Sequence, residues 1–368
     1  MNNRDWKGKF ERFCRSLFQE LNLTLIEDLA IDLGAANTRV YMPGRGLVVN
    51  EPSVIAFDTN NGKVAAVGRE AKRLARRQPR EIRVAHPIRD GVIADCDAAS
   101  KMLSQFIRAA RGRHSLVGPS LLICAPTDAT PLEQRAYEDT ARQAGAGNVT
   151  LVEGPYAAAM GAGLDLRAAR ACMVVDIGAA TTDIAVISGG GILYASTRRF
   201  GGNEIDRAIA HYLQLEKTLE VSEDTAEEVK IGMGGAGGPR DRRALAVRGR
   251  NLRTGLPEEI TVSREEIDML MQPALRMIKQ HVRLALEEIP TEASVDLLDS
   301  GITLSGGLAQ LHGLAEQFAQ EFGVRTQVAP DPALAAVMGA GRILEQALPV
   351  SIREAMKEGE SMRVNYST

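Results

Sequence analysis

Two short stretches carry the residues most able to do chemistry: DLGAANT at 32–38 and DIGAATT at 176–182. Both read Asp, apolar, Gly, Ala, Ala, polar, Thr, at an offset of 144 residues (176 − 32). A glycine lets backbone N–H groups come close to an anion, because no Cβ intervenes. Successive N–H groups in a turn form a nest for phosphate oxygens, and the threonine hydroxyl adds a donor. The aspartate repels phosphate unless a hydrated Mg²⁺ lies between them, an ion that keeps most of its waters. One such turn is a weak signal, since short glycine motifs match by chance. Two matched copies, one in each half of the chain, point to a triphosphate clamped from both sides.

Two more stretches complete the candidate chemistry. In LVEGPYAAAMGAG (151–163) an apolar run closes at Val152, Pro155 suits a first helical turn, and Ala157, Ala158 and Ala159 favour helix. The acid at that junction is Glu153, and the next residue is Gly154. In GITLSGGLAQLHGLAEQFAQEFG (301–323) a strand ending at Leu304 leads to a Gly306-Gly307 turn. Leu308, Leu311, Leu314, Ala315 and Phe318 then predict one amphipathic helix. The two glycines would let the adenosine side of a nucleotide lie against the backbone.

The elements that must hold these groups follow from the pattern around them. Each Asp-x-Gly turn runs into an apolar strand, RVYM or DIAVIS. A glycine-rich turn follows (43–46 or 189–191), then another strand, so each copy predicts a β-hairpin. The 368 residues allow about two domains at roughly 100–200 residues each. At 45% hydrophobic and 25% charged the chain is an ordinary globular one, but only 4% is aromatic, so its core must rest on Ala, Val, Leu and Ile. A net charge of −3 gives no global reason to bind nucleic acid. Cys14, Cys96, Cys124 and Cys172 lie far apart with no CxxC, which suits a reducing cytoplasm and argues against a zinc site. No apolar run approaches the ~20 residues of a membrane span.

Ahead of the first hairpin, Trp6, Phe10, Phe13, Leu17, Phe18 and Leu21 recur every three or four residues, a single helical stripe flanked by Arg and Lys. Such a face suits the membrane interface, or docking on the protein body or a partner. The run REAKRLARRQPREIR (69–83) carries seven Lys/Arg and two Glu. It reads as a solvated helix face, with lipid headgroups or lateral filament contact as the sharper alternative.

The three glycine sites in this order resemble the actin, heat-shock ATPase and sugar-kinase superfamily. Within it the match is to bacterial actins of the MreB type, over about 28–347. It is carried by IDLGAANTRVYMPGRGLVVNEPSVIAF (31–57), AVGREAK (66–72), HPIRDGVIADCDAASKML (86–103), RAYEDTARQAGAGNVTLVEGPYAAAMGAG (135–163), MVVDIGAATTDIAVISGGGI (173–192), TAEEVKIGMG (225–234) and GITLSGGLAQLHGL (301–314). The resemblance implies an α/β actin-like ATPase fold, two duplicated RNase H-like lobes around a nucleotide cleft. It divides the chain into an extension (1–27), domain I (28–168 plus 333–348), domain II (169–332) and a polar tail (349–368). It also implies ATP and Mg²⁺ in the cleft, self-assembly into filaments serving cell shape, a cytoplasmic place at the inner face of the membrane, and a membrane-bound adaptor of the RodZ kind. A chaperone of the DnaK type would need a C-terminal peptide-binding domain beyond the fold.

Carried over by position, Gly34, Ala35, Ala36 and Asn37 fall on the first phosphate loop, and Gly178, Ala179, Ala180 and Thr181 on the second. Glu227, Glu228 and Lys230 fall where the family contacts ribose and base; Gly306, Gly307, Leu308 and Ala309 fall on the adenosine loop. Asp32 and Asp176 stand where the family holds the metal through water. Three departures bear on activity, the first being Leu308 in place of a third glycine in the adenosine loop. The second phosphate loop has alanines where the family usually has glycines. The family's Glu-Glu-Pro reads Glu153-Gly154-Pro155, so the acid that orients the attacking water is absent at 154. Hydrolysis is then expected to be slow, or to fall to Asp176, Glu153 and Thr182, with Asp183 a further acid.

Overall fold

A computed structural model describes residues 28–77, 79–111, 118–234 and 244–347. The aromatic stripe from Trp6 to Leu21 and the tail 349–368 lie outside them.

The first hairpin becomes β1 (Leu29–Leu33) and β2 (Asn37–Met42), followed antiparallel by β3 (Gly46–Pro52). A small sheet follows, built from β4 (Ile55–Asp58), β5 (Val64–Val67) and β6 (Ile82–Ala85), with α1 (Gly68–Arg77) between the last two. After the ribbon β7 (Ile88–Arg89) and β8 (Val92–Ile93) come α2 (Cys96–Arg111), β9 (Ser120–Ala125), α3 (Pro131–Gln143), β10 (Asn148–Glu153) and α4 (Gly154–Gly161). β9 and β10 add parallel to β1, giving the order β10-β9-β1-β2-β3.

The second half repeats the plan. β11 (Cys172–Ile177), β12 (Thr182–Ser188) and β13 (Gly191–Arg198) form the antiparallel part. Next come α5 (Gly202–Glu216), β14 (Leu219–Glu220), α6 (Glu223–Met233), β15 (Ala244–Asn251), β16 (Pro257–Ser263), α7 (Arg264–Glu288) and α8 (Thr291–Ser300). β17 (Ile302–Ser305), α9 (Leu314–Phe322) and β18 (Thr326–Val328) complete the order β13-β12-β11-β17-β18. The two sheets share one topology, three antiparallel strands and then two parallel ones. This is the actin-like α/β fold, and the 144-residue sequence offset is its duplication.

Each sheet has its own core. Leu29, Ile31 and Val40 pack on Met102, Leu103 and Phe106 of α2. Ile184 and Val186 pack on Ile205, Ile209 and Leu213 of α5 and on Leu275 and Ile278 of α7. β12 is buried from Thr182 to Ile187 because both its faces are covered, so it reads as a continuous apolar run rather than an alternation.

The last helix, α10 (Ala335–Ala347), returns to cross α4 between the sheets. Ala157 of α4 joins Val337 and Ala340 against Ala30 and Leu122 of the first sheet, while Ala158 and Ala159 join Ala335 against Val174 and Ala185 of the second. At the crossing a Cβ on Gly339 would overlap the Ala157 carbonyl oxygen, and one on Gly161 the Ala335 carbonyl oxygen. The alanines and glycines that read as helix formers are therefore also what lets two backbones touch.

Two expectations are corrected. The single helix expected from Leu308 to Phe318 is a 3₁₀ turn (Gly307–Gln310) followed by α9, because Gly313 adopts a left-handed φ of 80° and breaks the run. The basic run is not simply solvated. Lys72 bonds Asp224 at 2.9 Å and Glu227 at 3.2 Å, and Arg76 bonds Asp224 at 3.0 Å and Glu228 at 2.8 Å. α1 of the first lobe thus meets α6 of the second. Among the described residues no helix is long and apolar enough to cross a membrane.

Candidate functional site

The two Asp-x-Gly turns close by the same hydrogen bond. Gly34 N–H donates to the Asn37 carbonyl at 3.1 Å, and Gly178 N–H to the Thr181 carbonyl at 2.8 Å. Each turn caps a strand pair, so the sheets aim both tips at one cleft of about 430 Å³ between the lobes. Asp32, Gly34, Ala35, Ala36 and Asn37 line one wall; Asp176, Gly178, Ala179, Ala180 and Thr181 line the facing one. Gly306, Gly307 and Leu308 close one end, with Glu227 and Lys230 of α6 alongside.

Four residues expected at the site lie outside this wall. Ala309 is buried in the core of the second lobe. Glu228 turns to Arg76, on the α6 face that meets α1. Thr182 is 1% exposed and its hydroxyl donates to the Phe200 carbonyl at 2.8 Å. Its repeat counterpart Thr38 likewise turns inward, to the Ser53 hydroxyl at 2.8 Å. Glu153 is exposed at the end of β10, whereas its neighbour Gly154 lines the cleft.

The cleft is acidic at the turns. Asp176 stands directly opposite Asp183 on the neighbouring strand. Burial, and then the charge of Asp183, push the Asp176 carboxyl up to about 7, against a 2.9 Å hydrogen bond from the Ser305 hydroxyl. Burial raises Asp183 to about 6, with the Thr197 and Thr181 hydroxyls pulling the other way. Two partly desolvated carboxylates facing each other favour a cation or a shared proton between them. No three groups with metal-binding side chains converge here among the described residues. The carboxylates of Asp32, Asp176 and Asp183 line the cleft, a donor set that fits a hydrated Mg²⁺ held through its waters.

Lys230 is 8% exposed and reaches Asp206 at 2.7 Å and the Gly202 carbonyl at 3.3 Å. Burial raises the Asp206 carboxyl to about 6 even though Lys230 counters it. Sequence reasoning missed Arg39, which lines the cleft and whose Nη1 donates to Asp32 Oδ2 at 2.8 Å. The signal was available: the repeat offset maps Arg39 onto Asp183 (183 − 39), an acid in one copy and a base in the other.

A sequence profile described as MreB/Mbl protein matches residues 26–351. The cell shape-determining protein Mbl of Bacillus subtilis (strain 168) is 40% identical over 318 residues, covering 86% of this chain and 96% of that protein. The cell shape-determining protein MreB of Escherichia coli (strain K12) is 42% identical over 323 residues, covering 86% and 93%. Among solved structures, MreB5 of Spiroplasma citri bound to ADP superposes with a TM-score of 0.82 at 31% identity, covering 90% of this chain and 98% of that one. The chain of a MamK double helical filament superposes with a TM-score of 0.73 at 22% identity, covering 88% and 99%, a likeness of fold alone.

Proposed function

The chain belongs to the MreB/Mbl family, and from that premise we propose that it binds ATP with Mg²⁺ between its lobes and polymerises into filaments that serve cell shape. The observation that carries the reading is the pair of turns with one closing hydrogen bond, facing each other across the cleft with Asp32 and Asp176 at their bases. The turn amides would hold the phosphates. Glu227 and Lys230 lie where ribose and base would rest, and Gly306, Gly307 and Leu308 where the adenosine would lie. Asp32, Asp176 and Asp183 would hold the hydrated ion, which when bound supplies positive charge against the phosphates. The solved MreB5 of Spiroplasma citri is bound to ADP in one structure and to AMPPNP in another, which supports the reading.

Hydrolysis is proposed to be slow, since Gly154 offers no side chain to orient a water and Glu153 lies outside the cleft wall. The same observation favours a second reading, a nucleotide-sensing scaffold without useful turnover. The segments 28–168 plus 333–348 and 169–332 are proposed as the two units that move about the α4–α10 crossing. The extension with Trp6, Phe10, Phe13, Leu17, Phe18 and Leu21 would attach the filament to the inner face of the membrane, beside an adaptor of the RodZ kind.

Titration of the purified chain with ATP, with and without Mg²⁺, tests the core of this reading. Asp176→Ala is expected to weaken Mg²⁺-dependent binding about tenfold, about 1.4 kcal/mol. Unchanged affinity in that variant would refute the two-turn clamp.

A further inference from the structure

We propose that Arg39 is a phosphate-binding residue of this cleft, a cation built into the first lobe that meets the nucleotide's terminal phosphates beside Asp32. The proposal rests on the nucleotide reading above and deepens it.

Arg39 lies on β2, two residues past the turn that lines the cleft, and lines the cleft itself. Its side chain is 14% exposed. One arm of its guanidinium is held by Asp32 at 2.8 Å, while Nε is buried with no partner. A buried donor without an acceptor is costly, and the planar fork of arginine can grip a carboxylate on one edge and a phosphate oxygen on the other. Arg39 and Lys230 are the two bases among the described residues lining the cleft, and Lys230 is tied to Asp206. Around the phosphate turns Asp32, Asp176 and Asp183 would otherwise confront the polyphosphate without any protein cation. The duplication sharpens the point. At the matching place the second lobe has Asp183, which adds repulsion, and the first lobe has Arg39, which removes it.

The bland alternative is that Arg39 merely neutralises Asp32 and steadies the β1–β2 hairpin. The two roles separate by how the loss depends on phosphate number and on metal. A phosphate contact matters most for ATP, less for ADP and least for AMP, and matters more when Mg²⁺ is absent and Arg39 stands alone. A structural role affects all three nucleotides alike.

The test uses the full chain, titrated with ATP, ADP and AMP in Mg²⁺ and again in EDTA, for the wild type, Arg39→Gln and Arg39→Lys. Arg39→Gln is expected to lose about tenfold in ATP affinity, with a larger loss in EDTA than in Mg²⁺, and to bind AMP within about twofold of wild type. Arg39→Lys is expected to recover part of the ATP affinity, because it keeps the charge and loses the fork. An equal loss for the three nucleotides, or no loss for ATP in either condition, overturns the proposal while leaving the nucleotide reading intact. A wild type that binds none of the three overturns both.

Discussion

Gly154 is the first residue of α4 and sits in the wall of the cleft that the two turns also line. Its backbone is not left-handed, and a Cβ built there lies 3.3 Å from the Ala125 carbonyl oxygen, so a shift of a few tenths of an ångström admits one. Glu153 is exposed and does not line the cleft, so it is not expected to substitute from where it stands. A positioned acid or base contributes typically ~10²–10⁴-fold to proton transfer. Gly154→Glu is therefore expected to raise ATP turnover by about 10²-fold, read as phosphate release at saturating ATP, and Glu153→Ala to leave it near the wild-type value. The reverse pattern, turnover lost in Glu153→Ala and unchanged in Gly154→Glu, would put the working acid at 153. Thr182 is no rival, because its hydroxyl is committed to the Phe200 carbonyl.

The pair α4 and α10 matters at the scale of elements, since both helices pack on both sheets. Their separation is set by Gly161 and Gly339, each beneath a carbonyl of the other helix. A methyl group at Gly339 has no space of its own and must push backbone against backbone. Overpacking costs about 1–3 kcal/mol, and Gly339→Ala is expected at the upper end of that range, measured as a shift of the denaturant midpoint. A loss too small to measure would mean that the helices part without resistance, and the crossing would then not be what sets the distance between the lobes.

At the scale of the whole molecule the lobes are joined by the α4–α10 crossing, by the α1–α6 ion pairs and by Arg199 with Glu133 of α3. The ion pairs are half-exposed, so they weaken as salt screens them. The proposed attachment to a surface belongs to the extension at 1–27. The spacing of Trp6, Phe10, Phe13, Leu17, Phe18 and Leu21 in the sequence predicts an aromatic stripe with a basic flank, which we propose as the membrane anchor. Deleting residues 1–24 is expected to abolish co-sedimentation with anionic liposomes and to leave ATP affinity unchanged. A truncated chain that still sediments as well as the full one would place the anchor elsewhere.

Sequence alone determined the two hairpins, the repeat that relates them, the strand-to-helix junction at 153–154 and the aliphatic character of the core. These follow from local rules: glycine at a turn, alternation or a continuous apolar run along a strand, proline at a helix start. It did not reveal that Glu228 and Arg76 hold each other across more than a hundred residues, nor that Gly313 takes a left-handed turn that ends one helix and starts another. Thr182 and Thr38 read as donors to a phosphate, yet each lies one step past its turn and points inward, a matter of register that composition does not encode. Arg39 looked like any polar residue of a half-exposed strand. Pairing of β1 with β2 put it beside Asp32, and the facing of two sheets put that pair in the wall of a cleft. Whether a charged side chain is solvated, paired or aimed at a ligand depends on which distant surface the fold brings against it, and that was decided by the tertiary structure.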